Sequence, residues 1–295
     1  MQPNYSYQQK DVDEIVIRDF NFDFPDDIDP VWAPGNPVRS HLFNGLSLTM
    51  PYLEPYLIRA TLKAREHITD PDLLEDIKGF NRQEANHFKC HRRYNTLLKA
   101  NGYPELEKIE NHMTRAYAKL ESRSLQTQLA YNAGFESMTC GFTQWFVSKR
   151  KALFAGTCPY VSSFWIVHMI EEGEHKTVAF DAYMAYSGKY LPRLLGVFHG
   201  SFHVLGLGMW AMIVALKKDK ILYRPKTLWQ IAKEMTSLVI NVGPGMARAL
   251  LPGFNPRNEA DPQWMMDWIK GYAKLPKGAL IPLVDTSNPE MPVPF

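Results

Sequence analysis

Cysteine is scarce in this chain of 295 residues, which has three, at positions 90, 140 and 158. They form no CxxC pair, which argues against a disulfide framework and against a structural zinc site. The first twenty residues also lack the basic-then-apolar order of a signal peptide. The expected location is therefore the cytoplasm, with attachment to the periphery of a membrane as an alternative.

Long stripes of charge of one sign are missing as well. The net charge is only +2, and the basic residues do not gather into a long stripe, so nucleic acid is not an expected partner. From about residue 41 to 250 helical periodicity dominates, and no alternating pattern of strands competes with it. The sequence therefore predicts an all-α protein.

Three segments follow from composition. Residues 1–40 are polar and rich in proline and aspartate, which predicts an extended arm over the surface. Residues 41–250 form the predicted helical domain. Residues 251–295 are rich in proline and form a mostly irregular tail, apart from a short amphipathic piece at DPQWMMDWIKGYAKL.

Helix boundaries follow from caps and prolines. Thr49 with Pro51 predicts a helix start, and Asp70 predicts another one. Two further helices are expected at about 124–155 and at about 159–187.

The stretch 194–216 has no charged residue. Its length alone is that of a transmembrane helix, but it contains two histidines, four glycines and a serine. A buried helix that covers the bundle is the leading interpretation. Contact with a membrane surface or a partner, and insertion into a membrane, are the alternatives.

The motif Glu-x-x-His occurs twice, as Glu84 with His87 and as Glu172 with His175. Residues three apart on a helix project from nearly the same face, so each pair can reach one ligand. A single copy is weak evidence for metal binding, since helices contain glutamate and histidine at many spacings. The repetition of the motif is what indicates a site.

Each motif follows a lone glutamate in apolar sequence, Glu54 before the first copy and Glu136 before the second. An unpaired buried carboxylate costs several kcal/mol, so a positive partner is required. One glutamate from each of two helices and Glu-x-x-His from each of two others is the pattern of dinuclear carboxylate proteins, which are ferritin-like four-helix bundles. Additional C-terminal helices and the arm would surround that core.

His168 lies four residues before Glu172 and shares its face, so it is a third candidate imidazole. Glu171 and Glu174 lie on other faces and are expected to point sideways or to solvent. The complete set of predicted metal ligands is Glu54, Glu84, His87, Glu136, His168, Glu172 and His175.

Further residues are candidates for roles around the metals. His91, four residues after His87, is a further candidate ligand, although a role as a hydrogen-bond partner or a core histidine is favoured over ligation. Asp181 is a candidate to orient a ligating histidine. Phe135, Phe164 and Trp165 are candidates to line a cavity for a hydrophobic substrate, although such residues are more often part of the plain core. No catalytic residue beyond the metal ligands is predicted.

The segments HLFNGLSLTMPYLEPY, RQEANHFKCHRRYN, FESMTCGF and HMIEEGEHKTVAFDAY resemble a bacterial family labelled predicted metal-dependent hydrolases, over about residues 35–215. That resemblance implies a ferritin-like protein with two metals. The spacing of His168, Glu172 and His175 is also similar to the extra-histidine site of p-aminobenzoate N-oxygenase-type di-iron enzymes. The prolines beside Glu54 and the apolar stretch after 190 depart from that oxygenase.

Three functions follow. The first is a di-iron oxidase or oxygenase that uses O₂ on a small hydrophobic or aromatic substrate and takes electrons from a reductase or ferredoxin. The second is a di-metal hydrolase, and the third is a non-catalytic iron-binding protein. Oxygen-rich ligation suits iron, with manganese as the alternative. A homodimer is a further expectation.

Overall fold

The computed structural model describes Tyr5, Tyr7 and residues 15–295. The described residues contain helices and no β-strand, which confirms the all-α prediction. The helices are α1 (Pro37–Ala64), α2 (Pro71–Ala100), α3 (Glu107–Glu121), α4 (Leu125–Ser148), α5 (Arg150–Phe154), α6 (Pro159–His175), α7 (Val178–Tyr186), α8 (Tyr190–Lys218), α9 (Pro225–Ala249) and α10 (Gln263–Tyr272).

Helices α1, α2, α4, α6 and α7 form an inner group, which we call the frame, and α8 and α9 form an outer layer against it. Helix α1 packs along α2, and α4 packs along α6 and α7. Helix α8 lies against both α1 and α4, and α9 lies mainly against α4. The residues that sequence analysis singled out lie on α1, α2, α4 and α6, inside this frame. The more specific prediction of a ferritin-like bundle stays a prediction.

The first helix begins earlier than predicted. Asn36 accepts a hydrogen bond from the Arg39 backbone N–H, and the helix starts at Pro37 rather than near Thr49. Pro51 therefore lies inside α1, where it cannot donate to the carbonyl four residues before it. That carbonyl, of Ser47, accepts a hydrogen bond from Asn95 Nδ2 on α2 instead, at 2.9 Å. A tertiary contact thus compensates for the proline.

Two predicted long helices are each divided. The stretch predicted at 124–155 breaks at Lys149, between α4 and α5, and the one predicted at 159–187 breaks between α6 and α7. At the second break, Lys176 Nζ donates to Asp261 and to the Glu259 carbonyl, each at 2.8 Å. The start predicted at Asp70 is confirmed, since its carboxylate accepts from two backbone N–H groups of α2.

The apolar stretch 194–216 lies in α8, the helix that alone among the described residues is long and apolar enough to cross a membrane. One side of it is closely packed. A Cβ atom on Gly196 would lie 1.9 Å from the Ala130 carbonyl oxygen, and one on Gly45 would lie 2.2 Å from the Gly208 oxygen. Only glycine permits such approaches. The burial interpretation accounts for this side of α8, while the opposite side is exposed.

The described part of the N-terminal arm runs extended before α1, and its side chains alternate. Arg18, Phe20, Phe22 and Phe24 are buried, while the residues between them are exposed, as a period of two requires. The arm therefore contributes to the interior, where a surface arm was expected. In the tail, α10 forms at the predicted amphipathic piece and buries Trp268.

Candidate metal centre

The seven predicted ligands converge in the interior of the frame, and we call this set the cage. Each of its residues is at most 2% exposed. The set comprises Glu54 from α1, Glu84 and His87 from α2, Glu136 from α4, and His168, Glu172 and His175 from α6. Four helices thus supply four carboxylates and three imidazoles to one buried volume.

One half of the cage surrounds His175. Its Nε2 atom lies 3.2 Å from Glu84 Oε1, 3.3 Å from Glu172 Oε2 and 4.0 Å from Glu136 Oε2. These four residues each place one ligand atom within 4.8 Å of the others. Three carboxylates and one imidazole at this spacing could hold a metal ion.

The other half surrounds His168. Its Nε2 atom lies 3.0 Å from Glu172 Oε1 and 3.8 Å from Glu54 Oε1. His87 Nδ1 lies 3.8 Å from the same Glu172 oxygen. One oxygen of Glu172 therefore faces each half of the cage. A carboxylate in this orientation could contact an ion in each half.

Many polar atoms of the cage have no hydrogen-bond partner within the described structure. Such buried groups cost free energy unless something meets them. The atoms concerned are both oxygens of Glu54 and of Glu84, Glu136 Oε1, Glu172 Oε2, His87 Nδ1 and His175 Nε2. Carboxylate oxygens and imidazole nitrogens are atoms that can coordinate a metal ion, so the residues present fit bound cations.

The electrostatics of the cage also favour a cation. Burial, followed by the charge of Glu172, raises the pKa well above the ordinary value for three carboxyls, Glu54, Glu84 and Glu136. Burial opposes ionisation of Glu172 too, but His175 and His168 outweigh it and hold its pKa well below the usual range. Burial lowers the pKa of His87 to about 3 and that of His168 to about 4. These two imidazoles are neutral, as ligands must be.

A family match agrees with this donor set. The sequence profile of a family described as "Predicted metal-dependent hydrolase" matches residues 16–260. The chain belongs to this family. No curated protein and no solved structure matches the chain. The match confirms the predicted resemblance to the hydrolase family, whereas the likeness to oxygenases has no support beyond the spacing of the ligands.

In this family member, hydrogen bonds from the surrounding residues orient two of the cage imidazoles. Gln83 donates its amide to Glu174, so its Oε1 atom accepts from His175 Nδ1 at 2.8 Å and leaves Nε2 toward the carboxylates. His87 Nε2 lies 2.7 Å from Glu171 Oε2, which leaves Nδ1 toward the cage. Such partners fix the ring orientation of ligating histidines.

His91 extends the same arrangement on the other side. Ser47 Oγ donates to Asn95 Oδ1 and so accepts from His91 Nδ1, at 2.8 Å. His91 Nε2 then accepts from His168 Nδ1, at 2.9 Å, which leaves His168 Nε2 unprotonated toward Glu172. These contacts fit a hydrogen-bond partner, one of the roles expected from the sequence, and His91 also places a ligand atom within 4.8 Å of those of Glu54 and His168.

Glu171 and Glu174 do not face solvent, contrary to expectation. Both are buried and paired with Arg18, which lies more than 150 residues earlier. Arg18 donates to the two oxygens of Glu174 at 2.5 and 2.7 Å and to Glu171 at 3.1 Å. The guanidinium also lies over the Trp268 ring, 5.2 Å from its centroid. Sequence analysis missed Arg18 and Gln83. The alternation of phenylalanine with polar residues after Arg18 could have placed Arg18 on the inward side of the arm, but it gives no indication of its partners.

Asp181 does not have the predicted role. Its two carboxylate oxygens accept from Arg257 at 2.8 and 2.7 Å, and Tyr5 donates to it as well. The carboxylate therefore ties α7 to the C-terminal segment instead of orienting a histidine. The reason is topological, since α7 begins beyond the break that ends α6.

A small apolar cavity of about 30 Å³ adjoins the cage between α1, α4, α6 and α8. Phe135 and Trp165 line it as predicted, but Phe164 does not, because it packs against the His91 ring at 4.4 Å. Thr139 separates the cavity from the cage and hydrogen-bonds Glu136 Oε2 at 3.2 Å. The cavity is lined by Leu46, Met50, Phe135, Met138, Thr139, Phe142, Phe146, Trp165, Met169 and Val204.

Proposed function

We propose that this chain is an enzyme that works with two metal ions bound in the cage. The observation that carries the proposal is the set of buried carboxylate oxygens that have no partner and face three imidazole nitrogens. Without cations, this arrangement would place several unpaired carboxyl groups in a closed interior. With two bound ions, these carboxylate oxygens would have cations as partners.

The two halves of the cage support a division of the ligands between the two ions. Glu84, Glu136 and His175 would hold one ion, and Glu54, His87 and His168 would hold the other. Glu172 would contact both, because its two oxygens point to different halves. Glu171, Gln83 and His91 would keep the imidazoles in the tautomers that ligation needs.

Hydrolysis is the reaction that the family description supports, and it is a better-supported candidate than oxidation. Paired divalent ions supply a lowered pKa for bound water and a positive charge for a developing oxyanion. The protein's own part would be to hold the cage rigid and to limit solvent. Arg18 contributes to this rigidity through Glu171 and Glu174, which lie behind the cage.

Oxidation of a small hydrophobic or aromatic substrate with O₂ is the second candidate. The observation that favours it is the apolar cavity beside Glu136, since dry apolar space suits an apolar ligand better than water. The oxygen-rich donor set suits iron, with manganese as the alternative. This candidate requires an external electron donor such as a reductase or ferredoxin.

Metal analysis of the purified protein tests the proposal. We expect about two ions per chain, as in other dinuclear carboxylate proteins, and a loss of bound metal in the Glu172→Gln variant. Glu110→Gln is the matched control, because Glu110 is also a buried carboxylate but pairs with Lys99 away from the cage. Equal metal content in both variants would contradict the assignment.

Activity assays of the metal-loaded protein separate the reactions. Turnover of p-nitrophenyl esters or phosphates under anaerobic conditions supports hydrolysis. Consumption of O₂ that requires a reductant and an added aromatic substrate supports oxidation instead. Stable metal binding without activity in either the hydrolysis or the oxidation assays would favour the non-catalytic iron-binding alternative and refute an enzymatic role.

A further inference from the structure

The side of α8 that faces away from α4 carries large apolar side chains at helical spacing. Leu191, Leu195, Phe198 and Phe202 follow one another at intervals of four and three residues, so they share one face. Each is between 43% and 61% exposed. The rings of Phe198 and Phe202 stack in parallel, with centroids 6.1 Å apart. Such a continuous apolar stripe is uncommon on a surface that meets only water.

Helix α9 lies beside α8 and adds to the same surface. Arg193 near the start of α8 donates to the Ala249 carbonyl at the end of α9, so the two helices run antiparallel. Helix α8 covers α1 and α4, and α9 lies mainly against α4, so each helix has a side turned away from the interior. We call this surface the outer face; its exposed apolar residues are Leu191, Leu195, Phe198, Phe202, Trp210, Ile213, Leu228, Trp229, Val239 and Ile240.

The outer face is strongly basic at one end. Residues 190–250 contain eight lysines and arginines but two acidic residues, although the whole chain has a net charge of only +2. Both acidic residues are engaged, Asp219 with His41 and Glu234 with Arg39. The turn between α8 and α9 and the helix ends beside it expose a set of basic side chains, Lys217, Lys220, Arg224 and Lys226, while the nearby Lys218 is paired with Glu105.

Aromatic residues lie where the apolar and basic parts meet. Tyr223 is 79% exposed and Trp229 is 63% exposed, and Lys233 lies over the Trp229 ring. Tyrosine and tryptophan beside lysine are the side chains that occupy the boundary between lipid headgroups and acyl chains. Apolar area, aromatic residues and positive charge therefore coincide on one surface.

We propose that the outer face binds an anionic lipid bilayer, with α8 and α9 lying in its surface. Charge complementarity selects this occupant, because anionic headgroups attract the basic turn while the apolar stripe enters the boundary region. A second copy of this chain carries the same positive charge and is a poorer match. The close packing at Gly196 and Gly45 keeps α8 joined to α1 and α4, so the helix lies on the membrane instead of crossing it.

Flotation of the full-length protein with lipid vesicles tests the proposal. We expect binding to vesicles of phosphatidylcholine with phosphatidylserine, weak binding to phosphatidylcholine alone, and weakening by added salt. Val239→Asp should lower the partition coefficient at least about tenfold, because an apolar contact is replaced by a charge of the wrong sign. Leu280→Asp is the matched control, since Leu280 is 75% exposed in the tail.

The charge contribution is tested separately. Lys220→Ala with Lys226→Ala should lower binding by about fivefold for each lysine removed. Lys274→Ala with Lys277→Ala removes the same charge from the tail and should leave binding unchanged. Equal binding to neutral and anionic vesicles, or equal effects of the two pairs, would overturn the proposal. A dimer in sedimentation velocity that Val239→Asp dissociates, with no vesicle binding by the native chain, would identify a second copy as the occupant instead.

Discussion

Replacing Arg18 by methionine should destabilise the protein strongly without removing any predicted metal ligand. The Arg18 side chain is 1% exposed, and both of its glutamate partners are fully buried. Removing one partner of a buried ion pair costs about 3–5 kcal/mol, because the other charge is left uncompensated. Arg18 serves two carboxylates, so we expect the upper part of that range. Methionine keeps much of the length that packs on Trp268.

Denaturant unfolding of the metal-free and metal-loaded protein measures this effect. The triple variant Arg18→Met, Glu171→Gln, Glu174→Gln should recover a large part of the lost free energy of unfolding, since it removes the charges that were left unpaired. Metal affinity should still fall about 10–100-fold in the triple variant, because Glu171 no longer orients His87 as a carboxylate. A single Arg18→Met variant within about 1 kcal/mol of the native chain would refute the reasoning.

Three further outcomes are expected. His91→Phe should lower metal affinity about 10–100-fold, measured by competition with a chelator, because His168 loses the partner that fixes its tautomer. Gly196→Val should abolish or severely reduce folding, measured by thermal unfolding, since even a Cβ atom would overlap the Ala130 oxygen. The metal-free protein should lose stability as pH rises from the ordinary pKa of glutamate, because the folded state holds protons on Glu54, Glu84 and Glu136 that the unfolded state has released. Added metal should reverse this loss at neutral pH in denaturant titrations.

The cage could be predicted from the sequence because its signal is local. Glu-x-x-His places two donors on one helix face, and a lone glutamate in apolar sequence cannot be buried without a partner. Because the pattern occurs twice, residue spacing alone predicts that Glu54 and Glu136 join the two motifs in one site. What the pattern could not show is which oxygen of Glu172 faces which half.

The surroundings of the cage depend on tertiary contacts, which have no local signal. Glu171 and Glu174 looked solvent-exposed because helical angles alone place them away from Glu172. Their burial follows from Arg18, whose position in an extended arm has no periodicity shared with α6. Similarly, Pro51 was interpreted as the start of a helix because proline is common there. It lies inside α1 instead, since Asn95 on another helix supplies the missing hydrogen bond.

Metal binding should release protons, and the cage residues set how many. The carboxyls of Glu54, Glu84 and Glu136 have raised pKa values in the metal-free fold, whereas the neighbouring His175 and His168 hold the pKa of Glu172 well below its usual range. The neutral imidazoles of His87 and His168 have no extra proton to lose. Two divalent ions would therefore displace protons from these three carboxyls, and the four charged carboxylates would then balance the four positive charges of the ions.

Calorimetric titration with a divalent ion, in buffers of different ionisation enthalpy, measures this release. The number of protons should be between one and three near neutral pH and should fall as pH is raised, because the carboxyls then ionise before metal arrives. The Glu136→Gln variant should release one proton fewer if its carboxyl is protonated in the metal-free protein. Glu110→Gln, outside the cage, should release as many protons as the native chain. Metal binding without proton release at any pH would show that the buried carboxyls are already ionised, and a counter-charge other than the metal would then have to be sought beside them.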